Sequence, residues 1–188
     1  MSNSEGPMNH QGNNRSVTVE VTPATKEEQP VLANLYQLYI HDFTDFVELP
    51  LRNDGRFDYD PLPPYWSEPG RFPFIVRVDA KLAGFALVKR GSDFSGKTEV
   101  WDMADFFVVR GVRGKRVGYS VAKTIWQQFP GLWEVRVITT NVPAQRFWTK
   151  AISRFLGKAI EPELLTKGEA TRYLFLFESE ANPLEDPR

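Results

Sequence analysis

Between Thr98 and Phe129 the sequence reads strand, basic glycine loop, helix, and this unit restricts the chain to folds in which a buried strand feeds a helix directly. Thr98 to Val109 forms a long strand candidate that ends in Phe106-Phe107-Val108-Val109. Arg110 to Arg116 then gathers Arg110, Arg113, Lys115 and Arg116 around Gly111 and Gly114. From Val117 to Phe129, Val117, Val121 and Ile125 recur at helical spacing, and Pro130-Gly131 stops the run. A helix start presents N–H groups without intrahelical partners and a partial positive charge. Glycine lets backbone approach a ligand closely, and basic side chains add charge for phosphate oxygens. Such a loop suits a di- or polyphosphate. A solvated basic loop is the plainer alternative, and the loop alone weighs the two evenly.

The rest of the chain places this unit in a mixed fold. Val17 to Val21 alternates as a strand, and Thr25 with Glu28 has the spacing of a capping box. The helix that follows would turn Val31, Leu32, Leu35, Leu38 and Tyr39 to one face. His41 to Gly70, rich in aromatics, prolines and acids, reads as short helix plus loop. Phe72 to Val78 and Leu82 to Lys89 read as strands about an Asp79-Ala80-Lys81 turn. Trp133 to Thr139 is a strand, Pro143 to Phe155 a helix and Thr171 to Phe177 a last strand. The fold class implied is α/β (α+β), with a largely antiparallel front half and a crossover unit behind it. Residues 1–16 read as a disordered lead-in, and residues 17–188 as one domain of ordinary size.

Composition excludes several chemistries. The 188 residues contain no cysteine, so there is no disulfide, thiolate metal site or Cys nucleophile; two isolated histidines, His10 and His41, argue against a His-rich metal site. A net charge of −1 gives no reason to expect nucleic acid or an anionic membrane as a partner. No apolar run reaches membrane-span length, and the absence of cysteine fits a reducing cytoplasm. Gly118-Tyr119-Ser120-Val121-Ala122 faintly echoes a nucleophile elbow, but both histidines precede Ser120, against the chain order that elbow needs. A Walker A loop, G-x-x-x-x-G-K-[S/T], does not occur.

Arg113-Gly114-Lys115-Arg116-Val117-Gly118 resembles motif A of the GNAT (Gcn5-related N-acetyltransferase) superfamily, [Q/R]-x-x-G-x-[G/A] after a strand. Arg116 stands where that family's central Gly usually is. Asn141-Val142-Pro143-Ala144-Gln145-Arg146-Phe147-Trp148-Thr149-Lys150 resembles the family's later motif. The resemblance extends from Val17 to about Phe177 and implies a mostly antiparallel central sheet with helices on both faces. It implies acetyl-CoA as acyl donor, with no metal, and direct transfer to a small-molecule or peptide amine. The pyrophosphate would lie on Arg113, Gly114, Lys115, Arg116, Val117 and Gly118. Phe106, Phe107 and Val108 would line the pantetheine arm and thioester, joined by Asn141, Phe147 and Trp148. The family's usual Tyr, the acid for the departing thiolate, is Trp148 here, and indole has no proton of useful acidity. The resemblance makes Asp102 and Asp105 the candidates for general base, with Asp105 preferred for its hydrophobic neighbours. On a regular strand they would face opposite sides, unless a bulge intervenes. A non-catalytic acyl-CoA-binding module of the same fold is the alternative function. The acidic, aromatic stretch from His41 to Trp66, with Asp58 and Asp60, is expected to help form the acceptor pocket. An edge strand offers a route to a homodimer.

Overall fold

The computed structural model describes residues 17–58 and 61–180; the lead-in at 1–16 and Asp60 lie outside them. The strands are β1 (Val19–Pro23), β2 (Arg71–Val78), β3 (Lys81–Arg90), β4 (Trp101–Val108), β5 (Gly131–Ile138), β6 (Glu163–Lys167) and β7 (Ala170–Ser179). The helices are α1 (Gln29–Phe43), α2 (Pro64–Ser67), α3 (Val117–Gln128) and α4 (Val142–Leu156). All seven strands join one sheet in the order β1-β2-β3-β4-β5-β7-β6. Every pair is antiparallel except β4 with β5. The crossover through α3 makes that one pair parallel, as such connections do.

Alternate residues of the central strands feed two cores. On one face Ile75, Phe85, Leu87 and Phe107 meet Leu32, Leu35, Tyr36 and Ile40 of α1. On the other, Phe74, Val88, Met103, Trp133 and Phe175 meet Val121, Ile125 and Trp126 of α3 and Trp148 and Ile152 of α4. Helices thus cover both faces of the sheet. Thr25 N–H donates to Glu28 Oε2 at 3.0 Å, the return half of the expected capping box at the entry to α1.

Three local expectations need correction. Leu38 is 54% exposed, and Tyr36 and Ile40 are buried in its stead. Leu38 falls on the side of α1 that carries Asn34, Gln37 and His41, and it turns outward with them. The β2–β3 turn is two residues long, Asp79-Ala80, with φ of 49° and 61°. That left-handed pair matches the twist of a tight hairpin, and Asp79 is tied down by Thr18 N–H donating to its Oδ1 at 3.0 Å. The sequence reading has no counterpart of β6, a short edge strand that exposes most of its residues.

Candidate active site

β4 and β5 pair only over Trp101–Met103 and Trp133–Val135. Beyond Met103 the β5 side of β4 has no strand partner, while β5 runs on with β7 as far as Ile138. The sheet is therefore open between the carboxyl ends of its two parallel strands, the place where open α/β sheets accept ligands. Val109 N–H donates to Ala83 O of β3 at 2.8 Å. Backbone groups alternate sides along a strand, so the N–H and C=O of Val108 face the opening. In keeping with this, Val108 O accepts from Arg113 Nε at 2.6 Å rather than from a strand.

Above the opening, α3 begins without a side-chain cap. The N–H groups of Val117, Gly118 and Tyr119 have no intrahelical acceptor there. Arg116 precedes them at φ 64°, ψ 7°. That is the left-handed conformation, which glycine adopts without penalty and other residues adopt at the expense of local strain. Lys115 and Arg116 are exposed, and neither has a carboxylate within 4.0 Å among the described residues. Arg113 is held differently. Its Nη2 donates to Asp42 Oδ2 at 2.6 Å, and its guanidinium lies 5.7 Å from the centre of the Phe107 ring. An anion can use the uncapped amides and two free cations, so this loop fits a pyrophosphate.

The strain at Arg116 is measurable. Arg116→Gly is expected to be more stable than Arg116→Ala by about 1 kcal/mol in chemical denaturation, because alanine keeps the left-handed penalty and glycine does not. Equal stabilities would mean that the turn relaxes in the variants.

The α4 segment lies against the same opening. Asn141 caps α4, its Oδ1 accepting from Ala144 N at 3.0 Å, which leaves its amide NH2 for another partner. Phe147 stacks on Phe106 with ring centres 5.8 Å apart, and Trp148 meets Phe106 edge-on at 5.0 Å. Trp148 is buried in the α3–α4 core. A Cβ added to Gly118 would stand 3.0 Å from the Phe147 ring, so this glycine also lets α3 and α4 approach. Phe107 points the other way, into the α1 core against Tyr39 and Phe85.

Both candidate carboxylates lie on the α1 face. The β3–β4 register pairs Asp102 with Lys89 and Asp105 with Leu87, leaving Ala104 as the extra residue of a bulge. That insertion cancels the difference in parity. Their environments then separate them. Asp102 is fully buried; Arg136 Nη2 donates to its two oxygens at 3.0 and 2.7 Å, and Lys89 Nζ stands 3.9 Å away. Burial pushes its carboxyl up to about 7 against the pull of Arg136 and Lys89, with Glu134 and Asp105 adding to the rise. Glu134, also buried, accepts from the hydroxyls of Ser92 and Ser95. Asp105 is partly buried and has no cation in direct contact among the described residues. Burial raises its carboxyl above the usual range, against the pull of the neighbouring Tyr39 and Tyr36 hydroxyls. Both carboxyls are thus of raised basicity, but Asp102 is engaged by Arg136 and Lys89, whereas Asp105 lies beside two phenols with no cation in contact among the described residues.

Tyr36 and Tyr39, Asp42, and the group Lys89, Glu134 and Arg136 were not singled out as site residues in the sequence. Tyr36 and Tyr39 sit three apart on a helix, which puts both on one face, a signal that becomes useful only once Asp105 is known to lie beneath. Among the described residues no cluster of His, Asp and Glu is placed to hold a metal. No helix among them is long and apolar enough to cross a membrane.

A sheet opened between two parallel strands, with an uncapped helix start on one side and a carboxyl of raised basicity on the other, offers room for a phosphate-bearing ligand beside a candidate base. The sequence profile of the acetyltransferase (GNAT) family matches residues 32–152. The chain belongs to that family. No curated protein sequence matches it significantly. Among solved structures it resembles the aminoglycoside acetyltransferase AAC(6')-Ib in complex with coenzyme A, with a TM-score of 0.63 at 12% identity over 86% of this chain and 95% of that one. The same enzyme with coenzyme A and kanamycin also matches, at 11% identity and 0.63. An acetyltransferase from Thermus thermophilus gives 0.61 at 17% identity, over 86% of this chain and 97% of that one. At these identities the likeness is one of fold.

Proposed function

We propose that the protein transfers an acetyl group from acetyl-CoA to a primary amine by direct attack, without a covalent acyl-enzyme. The observation that carries this reading is the open end of β4, where the Val108 backbone faces the gap and Asp105 lies on the α1 face of the same strand. When bound, acetyl-CoA supplies an activated thioester carbonyl. The first-turn amides of α3, with Lys115 and Arg116, hold the pyrophosphate. Gly114 gives the loop its positive φ of 81°. Phe106, Phe147 and the free amide of Asn141 line the pantetheine path. The Val108 N–H polarises the acyl carbonyl as charge develops on it. Asp105 removes a proton from the attacking ammonium, directly or through water. Trp148 has no acidic proton to give, so water protonates the departing thiolate.

The acceptor is a small-molecule or peptide amine. The structural neighbour seen with kanamycin supports the small molecule. Asp105, beside Tyr36 and Tyr39, offers the attacking nitrogen one carboxylate within an aromatic surround.

Acetyl-CoA at about 100 times its Kd stabilises a native state that binds it by roughly 2.7 kcal/mol. For a chain of this size that raises Tm by about 5–10 °C. A shift of that size, followed by release of CoA thiol when primary amines are added, would bear the reading out. No shift at saturating acetyl-CoA would overturn it. A shift with no turnover on any primary amine would point to an acyl-CoA-binding module.

A further inference from the structure

Asp42, in the last turn of α1, is the centre of a charged clamp. It accepts from Arg113 Nη2 at 2.6 Å and from Arg110 Nε at 3.0 Å, and Arg110 Nη2 reaches Asp45 at 3.4 Å. Burial alone would raise the Asp42 carboxyl, but these guanidinium hydrogen bonds and charges hold it below the usual range. Arg113 is doubly engaged, since its Nε donates to Val108 O at 2.6 Å. A guanidinium is a planar fork with fixed donor directions. Fixing one prong on Asp42 therefore fixes the other on Val108. The chain Asp42–Arg113–Val108 ties the end of the helix that carries Tyr36 and Tyr39 to the strand end that borders the opening.

We infer that Asp42 is a positioning residue for acyl transfer, holding the Val108 backbone in place through Arg113 and coupling the α1 side of the site to the β4–α3 loop. This rests on the function proposed above. Val108 O has no strand partner, and Arg113 Nε takes that place. Without the anchor at Asp42, Arg113 is free to swing away, and the Val108 amide loses the orientation in which it meets an acyl oxygen. The arginine at the head of the loop serves here as a strut, while Lys115 and Arg116 supply free positive charge.

The test uses the full chain with Asp42→Asn, Asp42→Glu and Arg113→Lys. Acetyl-CoA affinity is measured by calorimetry, and thiol release from acetyl-CoA is followed with whichever primary amine the wild type accepts, or with water as acceptor. Hydrogen exchange is followed at residues 40–46 and 106–109. Asp42→Asn should lower kcat by about tenfold, because small misplacements at a reacting centre are costly. Acetyl-CoA affinity should change by less than about twofold, since one contact to the phosphates is not removed. Exchange should rise in both segments together. Asp42→Glu should restore most of kcat, and Arg113→Lys, which keeps the charge but loses the fork, should behave like Asp42→Asn. An unchanged kcat in Asp42→Asn, or faster exchange confined to 40–46, would overturn the inference. So would tighter coenzyme A binding, which would mean the clamp withholds Arg113 from the pyrophosphate. A wild type that neither binds acetyl-CoA nor releases thiol would sink the proposed function itself, a result distinct from these. If Asp42→Asn does not fold, Asp42→Glu and Arg113→Lys decide by the same readouts.

Discussion

Gly84→Ala should destabilise the protein by about 4 kcal/mol or more, at the extreme of what single substitutions do. Its added Cβ would sit 2.0 Å from the Phe107 carbonyl oxygen, 3.0 Å from the carbonyl carbon and 3.1 Å from Val108 Cα. All three are backbone atoms, so no side chain can rotate away. Close-packed interiors relax only partly around an added group. β3 must separate from β4, breaking the Gly84–Val108 end of their register. The requirement is for space, since no left-handed φ occurs at Gly84. Gly111→Ala is the control, with nothing within 4 Å of the added Cβ and no left-handed φ. It should stay within about 0.5 kcal/mol of the wild type. Urea titration of both variants checks this. A Gly84→Ala protein within about 1 kcal/mol of the wild type would contradict the β3–β4 geometry around Val108. Since the strained atoms border the opening, surviving Gly84→Ala protein should also transfer acetyl groups poorly.

What could be read from the sequence is what local chemistry determines. The strand, basic loop and helix around Arg113 to Gly118 are legible because glycines, cations and helical periodicity all lie within one short stretch. α4 is legible from Pro143, tolerated in its first turn, though the cap at Asn141 is not. Arg116 shows how far such reading reaches. The departure from the family's glycine is visible in the sequence, but the left-handed φ that Arg116 adopts is not.

What could not be read depends on distant partners. Arg113 is 71 residues from Asp42, and no spacing rule connects them. The bulge at Ala104, which decides whether Asp102 and Asp105 share a face, follows from how β4 registers on β3. The two acids differ in role because Arg136, 34 residues from Asp102, sits beside it across the β4–β5 pair. β6 gives no clear alternation, being an exposed edge whose register is supplied by β7. The face expected for α1 fails only at Leu38, which sits among Asn34, Gln37 and His41 and is exposed, while Tyr36 and Ile40 are buried against the sheet.

Asp105→Asn should reduce acetyl transfer by about 10²- to 10⁴-fold, the range for loss of a positioned general base. The substitution is nearly isosteric and breaks no ion pair, so the fold is kept. Burial raises the Asp105 carboxyl above its ordinary value. The wild-type rate should therefore fall as pH drops through that raised value, where the carboxylate is protonated and can no longer accept the ammonium proton. The variant should lack this limb. Stability should move the opposite way. A carboxyl with a raised native pKa binds its proton more tightly when folded, so stability is lost as pH rises from the unfolded value through the native one. Asn carries no charge to bury, and Asp105→Asn should be more stable than the wild type above that window. Asp102→Asn provides the contrast. Above pH 7 it removes a carboxylate whose charge burial already disfavours, while Arg136 keeps Glu134 and Lys89 keeps Asp93, so it too should lose no stability there, and it should keep its rate. Rate–pH profiles and urea titrations of the two variants separate the roles. An Asp105→Asn enzyme with its rate and acid limb intact, beside a folded but inactive Asp102→Asn, would move the base to Asp102. Loss of rate together with a gain of stability in Asp105→Asn is what a carboxyl kept for chemistry, at a cost to the fold, must show.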